Sequence, residues 1–323
     1  MTMPLVTCGI TSCNAASTIE HAVRSAFAQT WRPIEVIVVD DCSTDETLDI
    51  LHRLRTTFSD LRVARNDRNL GVAATRNRIL SDARGEFVAF FDDDDESHPK
   101  RVAHQISRIT QYEKDFAQGR PVICHTARRQ IFPDGRVEIS PTMGQQGARL
   151  APSGLDVARY IVAGKRLQGD TGPCATSSQM SRRATYRLLG GFDPSFRRSE
   201  DTEFNVRLAK AGGHFVGIAE PLVNQTMTYA LEKRLSEELH YALLILDKHR
   251  DLFDDARQYY FCRRWVENKH VWLQGRRGAT LSGFGRLMLS HPLLSARRFF
   301  WAREHAAHNY SLRRFHDEAG SRS

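Results

Sequence analysis

The side chains best suited to chemistry here are carboxylates that follow apolar runs. Residues 87–91 are wholly apolar, and Asp92, Asp93, Asp94 and Asp95 come directly after them. Adjacent carboxylates repel: at ~4 Å and an effective dielectric of ~20, each pair costs about 4 kcal/mol until a cation or protons neutralise it. A hard divalent ion, Mg2+ or Mn2+, supplies that neutralisation and keeps coordination positions for phosphate oxygens. The plainer alternative is a solvated acidic turn capping a helix near Pro99, but the apolar run fixes the cluster to a buried strand end and favours the ion. Asp40 and Asp41 end a second, nearly continuous apolar stretch, residues 34–39. An acid in that place takes a ribose hydroxyl or a base N–H, or it belongs to the cap of a helix opening at Ser43. Asn69, with Arg68 before it and Gly71 two residues after it, and the pair Arg76-Asn77 set amide and guanidinium groups at another helix start. They can meet a diphosphate or base there, or make a surface salt bridge.

Alternating elements position these groups. Residues 5–10 read as a strand. Ser17-Thr-Ile-Glu20 has the form of a capping box, and Ile19, Ala22, Val23, Ala26 and Phe27 fall on one helical face. Residues 34–39 are rich in β-branched side chains, as in a strand covered on both faces of a parallel sheet. A second capping-box pattern, Ser43-Thr-Asp-Glu46, opens a helix carried by Leu48, Leu51 and Leu54. Residues 61–64 form a third strand, 71–83 a third helix, and 87–91 a fourth strand. That alternation implies right-handed crossovers and a mainly parallel α/β sheet, with ligands outside the carboxyl ends of its strands. Both acidic clusters then face one crevice. Further along, the pattern predicts a helix through Val102, Ile106 and Ile109, a strand over 122–125, and an irregular excursion over 132–153. It continues with a strand over 174–180, helices over 182–189 and 201–211, and a strand over 214–219. Beyond Leu231 it is only helical, which divides the chain into an α/β domain, 1–228, and a basic helical region, 229–323.

Composition narrows the class. The 323 residues carry 26% charged side chains, the share of a folded globular protein. No apolar run reaches the ~18 residues that cross a bilayer, and no secretory leader precedes the first strand, which points to the cytoplasm. Six cysteines without a CxxC pair suit reduced, mostly buried thiols. The net charge of +8 is uneven: residues 273–323 hold nine arginines against three acids. A tail of that kind suits an anionic partner, or it is a solvated helix face.

In order along residues 5 to about 220 stand Ser25-Ala-Phe-Ala-Gln29-Thr30, Val39-Asp40-Asp41-Cys-Ser43-Thr-Asp45, Asn69-Leu-Gly71 with Arg76-Asn77, and Gly85-Glu86-Phe87. They are followed by Asp92 to Asp95 with Pro99, then Gly190-Gly191-Phe192-Asp193 and Glu200-Asp201. This ordered set resembles the inverting glycosyltransferases of family 2, whose Rossmann-like fold is called GT-A. The resemblance implies a metal-dependent transfer of a sugar from a nucleoside-diphosphate sugar, most commonly a uridine one, to an acceptor hydroxyl. It implies that Thr11, Asp41 and Arg76 contact the nucleotide, with Asp40 and Asn69 beside them. It places Asp94 as the metal ligand, with Asp92 and Asp93 supporting the donor site. Asp201 is similar to the family's catalytic base, beside Glu200. Two departures stand out. The family's first loop carries Pro-x-Tyr-Asn, whereas this chain has Thr11-Ser12-Cys13-Asn14, and Cys13 cannot stack on a base. A processive polymerase carries Gln-x-x-Arg-Trp, whereas Phe261 precedes Arg264-Trp265 here, so single-sugar transfer is expected.

The family's acceptors are often lipid-linked or surface glycans. Two stretches of the basic tail, 281–289 and 293–301, mix aromatic, aliphatic and arginine residues, a composition able to lie on an anionic membrane surface at the inner face of the cell membrane. The alternative is a helical appendage, packed on the catalytic domain or joining a homo-oligomer. Rival readings are a haloacid dehalogenase phosphatase using Asp92 and Asp94, a receiver domain using Asp40 and Asp41, a nucleic-acid or polyanion binder, and a non-catalytic scaffold. Glu96 stands where the phosphatase motif has Thr or Val. The receiver reading leaves Glu200-Asp201 unexplained, and the acidic crevice weighs against nucleic acid. Every acidic position of the family pattern is filled, which weighs against the scaffold.

Overall fold

The computed structural model describes residues 3–145, 149–169, 171–227 and 232–304. Its first half is the parallel sheet that the alternation demands. Strands β1 (Val6–Ser12), β2 (Ile34–Asp40), β3 (Leu61–Arg65) and β4 (Phe87–Asp92) lie in the order β3-β2-β1-β4, all parallel. Helices α1 (Ile19–Phe27), α2 (Thr47–Thr57) and α3 (Val72–Asp82) make the crossovers. Val6, Cys8 and Ile10 of β1, Val36 and Val38 of β2, and Phe87, Ala89 and Phe91 of β4 point to one face. Ile19, Val23 and Ala26 of α1 cover them there. On the opposite face α3 presses close enough that a β-carbon at Gly9 would stand 2.5 Å from Ile79.

The sheet then changes direction. After β5 (Glu96–Ser97) and α4 (Arg101–Tyr112) come β6 (Val122–Ile131), β7 (Val137–Ser140), α5 (Gly154–Ala163), β8 (Met180–Arg182), α6 (Arg183–Leu188), α7 (Glu200–Lys210) and β9 (His214–Thr226). The three-residue β8 runs antiparallel between β4 and β6, and β9 pairs parallel with β6 and antiparallel with β5. The path β3-β2-β1-β4-β8-β6-β9-β5 is thus one mixed sheet, with β7 off this path, paired to the end of β6 beyond β8. The C-terminal part is helical: α8 (Glu232–Lys248), α9 (Ala256–Leu273), α10 (Arg277–Ser290) and α11 (Pro292–Glu304).

Several local expectations are corrected. Neither capping box forms: α1 and α2 have Thr18 and Glu46 at their caps, with no side-chain cap bond. Ser43 instead turns its hydroxyl to Asp40 and accepts the Asn14 N–H at 2.8 Å. The strand expected over 174–180 is a 3-10 turn at Thr176–Ser178 leading into β8. The excursion over 132–153 contains β7, an edge strand with exposed Val137 and Ile139. Strand β9 runs on past Pro221 because β6 shifts register between Thr126 and Arg128, a bulge that lets pairing resume beyond a residue lacking an N–H. Of the six thiols, only Cys8, Cys124 and Cys262 are buried.

Two compact units emerge. Among the described residues, one comprises those up to Gly154 with Leu167–Met227, and the other comprises Leu155–Arg166 with those beyond Met227. Helix α5, not anticipated from the sequence, belongs mostly to the second unit. There the Ala163 carbonyl accepts from Arg298 at 3.2 Å and the Cys262 thiol lies 3.4 Å from it.

Candidate functional site

Sheet register brings the sequence-distant acids to one edge. Thr11 of β1 lies opposite both Val39 of β2 and Asp92 of β4, and Ser12 lies opposite Asp40. Thr11, Asp40, Asp41 and Asp92 are therefore level at the carboxyl ends of three parallel strands, where such sheets bind ligands. The two acidic clusters nonetheless have different work. Asp40 is buried; its oxygens take the Ser43 N–H at 3.0 Å and the Ser43 hydroxyl, with Arg65 at 3.6 Å. Asp41 is also buried and accepts from Leu70 N–H, Gly71 N–H and the Asn66 amide, each at 2.8 Å. Gly71 has φ +87°, the left-handed region that glycine tolerates. Both acids thus hold the loops that frame the crevice. Asn69 is exposed on one such loop, its amide 3.4 Å from the Cys13 sulfur and its carbonyl oxygen 3.3 Å from Arg197.

The aspartate run divides by direction. Asp93 turns back and accepts the Cys13 N–H at 3.0 Å. Asp92, Asp94 and Asp95 each offer an oxygen within 4.8 Å of the others. Asp95 gives one oxygen to the Thr226 N–H at 3.2 Å, while its Oδ2 is buried without a hydrogen-bond partner. Burial, reinforced by the charges of Asp92 and Asp94, pushes Asp95 up to about 8. Burial does the same to Asp93, raising it to about 7 against the pull of the Cys13 N–H. A buried carboxylate oxygen with no donor, among carboxylates held in reach of one another, fits a hard cation bound by oxygen ligands. Asp95 was not singled out as a site residue from the sequence. The signal that could have found it is the apolar run itself, which buries one end of the cluster.

Arg76 joins this cluster to α7. From the first turns of α3 its guanidinium reaches Asp92 at 3.2 Å and pairs with Glu200, itself buried. It lies 5.6 Å from the Phe192 ring centre and 5.9 Å from that of Phe90, within range of a cation–π attraction. Burial opposes the charge on Arg76, but Glu200, Asp92 and Asp201 outweigh it and hold its pKa above the ordinary arginine value. Burial raises Glu200 despite that pairing. Asp201, half-buried in the first turn of α7, takes the Thr202 N–H at 2.6 Å. Asp201 also acts electrostatically on Arg128, whose guanidinium burial works to neutralise and Asp95, Asp201 and Asp92 work to keep charged. Arg76 and Arg128 thus both feel Asp201 and members of the aspartate cluster.

The neighbouring motifs are structural. Asn77 accepts the Phe192 N–H at 2.8 Å and donates to the Phe192 carbonyl at 2.7 Å. Gly191, at φ +74°, has no room for a β-carbon, which would stand 2.3 Å from the Asn77 oxygen. Arg101 is the residue that sequence reasoning missed most completely. It is fully buried and donates to the Phe90 carbonyl at 2.7 Å and the Ser97 hydroxyl at 2.8 Å, with its guanidinium 4.5 Å from the Phe91 ring centre. Burial lowers it to about 10, and Asp92 and Asp95 help it stay charged. Glu96, where a phosphatase would place Thr or Val, is the exposed start of β5, opposite Asn224.

A family model described as glycosyl transferase family 2 matches residues 7–183. Among curated proteins, the chain is 27% identical over 212 residues to the putative glycosyltransferase EpsE of Bacillus subtilis, covering 65% of this chain and 68% of that one. It is 38% identical over 114 residues to UDP-Glc:alpha-D-GlcNAc-diphosphoundecaprenol beta-1,3-glucosyltransferase WfaP of Escherichia coli, covering 35% of this chain and 44% of WfaP. The chain therefore spans about two thirds of the first relative and under half of the second. Among solved structures, S. aureus TarS 1-349 in complex with UDP-GlcNAc superposes with a TM-score of 0.61 at 18% identity, covering 99% of this chain and 92% of that one. At that identity the likeness is one of fold.

Proposed function

The chain belongs to glycosyl transferase family 2 and is a glycosyltransferase, and from that premise we propose that it moves a single sugar from a uridine-diphosphate sugar to a hydroxyl of a growing glycan, with inversion at the anomeric carbon. The observation that carries this reading is the Arg76 bridge, which ties the carboxylates of Asp92, Asp94 and Asp95 to the helix bearing Asp201. Thr11, Arg76 and Asn69 line the donor side, with Asp40 and Asp41 holding the loops around it. Asp92, Asp94 and Asp95 would hold Mg2+ or Mn2+; such an ion offsets charge that develops on a departing diphosphate. Asp201 removes the proton from the acceptor hydroxyl as that oxygen attacks. Glu200, paired with Arg76, anchors the helix start that carries Asp201. WfaP's name supports a UDP-linked donor and a diphosphate-linked lipid as acceptor carrier.

The test is a thermal-shift panel of nucleotide sugars with and without Mn2+. A ligand at a hundredfold its Kd adds about 2.7 kcal/mol, or roughly 2–4 °C per kcal/mol for a domain of this size. A uridine-diphosphate sugar should raise the transition only when Mn2+ is present, and Asp94→Asn with Asp95→Asn should abolish the increment. A shift that persists without the ion, or in that double variant, overturns the metal assignment.

A further inference from the structure

Helices α10 and α11 carry apolar side chains on two faces. The inner one is closed: Leu287 is buried, and Trp265 of α9 meets Phe284 and Phe299 at ring-centre distances of 5.0 and 4.9 Å. The outer one is open. Leu281 is 75% exposed, Met288 51%, Leu289 86%, Leu293 77% and Phe300 67%. On α10 these fall at i, i+7 and i+8 from Leu281, and on α11 at i and i+7 from Leu293, one stripe on each helix. Leu289 and Leu293 flank the corner where α10 ends at Ser290 and α11 begins at Pro292. Exposed Arg277, Arg286 and Arg297 stand among them. Between Glu267 and Glu304 the sequence has no acid and seven cations.

We infer that this outer face of α10 and α11 docks on an anionic lipid bilayer, lying in the interface rather than crossing it. No helix among the described residues is long and apolar enough to span a membrane. Isolated exposed leucines are ordinary, but a run of them at helical spacing, at a corner and ringed by arginines, is not. Charge decides the occupant. A second copy of the same face would set arginine against arginine with no acid in the segment to answer it. Anionic headgroups answer the arginines while the acyl boundary takes Leu289, Leu293 and Phe300. Nothing in this assignment requires the transfer chemistry proposed above, so either can fail alone.

Flotation of the full chain with vesicles tests it. Phosphatidylcholine vesicles should leave the protein in the dense fraction, and vesicles with roughly a third phosphatidylglycerol should carry it up, the more so at low salt. Leu289→Asp with Leu293→Asp should reduce the floating fraction at least about tenfold. Arg277→Gln with Arg286→Gln, which leaves the apolar stripe whole, should reduce it about fivefold per arginine. Both variants should keep the wild-type circular dichroism melt and donor-induced thermal shift. Absence of flotation on anionic vesicles overturns the inference, as does flotation that the aspartate variant retains. A lipid-free oligomer that the aspartate pair dissolves also overturns it, because the face then serves a second copy.

Discussion

Residues that touch in the crevice do unlike work, and substitution should separate them. Asp201 is half-buried and accepts from the N–H and hydroxyl of its neighbour Thr202, so its loss should barely trouble the fold. Asp201→Asn is expected to lower kcat by about 10²–10⁴, the usual contribution of a positioned base, with less than about 1 kcal/mol lost in stability and an unchanged donor-induced thermal shift. Arg76 is different. It holds Asp92 and Glu200 in a buried site, and removing one member of such a group costs about 3–5 kcal/mol by stranding the others. Arg76→Met should therefore lose both stability and turnover, and urea unfolding beside kinetics distinguishes the two variants. If Asp201→Asn retained full turnover with a matched donor and acceptor, the base would lie elsewhere.

At the scale of elements, the loop between β3 and α3 depends on one carboxylate just past the end of β2. Asp41 receives both the Leu70 and Gly71 N–H groups, and each hydrogen bond to a charged group is worth about 1.5–3 kcal/mol. Asp41→Ala should loosen residues 69–75 and weaken donor binding without touching the aspartate cluster. Hydrogen exchange is the measurement: amides of the first turn of α3 should exchange faster, and unchanged protection there would mean that the loop has other anchors. The same carboxylate shows how far residue patterns carry. Apolar runs ending in acids were enough to place β2 and β4, because burial on both faces leaves a nearly continuous apolar signature. They did not reveal that Asp41 is consumed by backbone N–H groups, since such a bond depends on where a distant loop passes. Arg101 was illegible for a related reason: a buried guanidinium is satisfied by the Phe90 carbonyl and the Ser97 hydroxyl, partners that only the fold supplies. Residues 174–180 read as a strand, yet Thr176–Ser178 form a 3-10 turn and only the end of the stretch, from Met180, pairs with β4 and β6.

For the whole molecule, the α/β unit carries an acid sensitivity at its centre. His125 of β6 is fully buried, and neither ring nitrogen makes a close hydrogen bond, although Gln179 beside it partly favours the charged ring. Burial, aided by the charge of Arg128, lowers it to about 3, against about 6.5 in an unfolded chain. The unfolded state therefore binds the extra proton throughout the window between those two values. Stability from this residue is complete above pH 6.5 and declines as pH falls toward 3, by about 1.4 kcal/mol per unit once the unfolded histidine is charged. Between pH 7.5 and pH 5 the loss should reach about 2 kcal/mol. His125→Asn cannot titrate, so it should start lower in stability, through an imperfect fit in β6, yet lose less on acidification. Urea unfolding of the full chain at the two pH values, followed by a probe in the α/β unit, measures the difference. Other histidines titrate in both proteins and cancel in that comparison. Parallel losses in the wild type and the variant would show that His125 reaches water or a partner in the native state, and that the centre of this sheet tolerates charge.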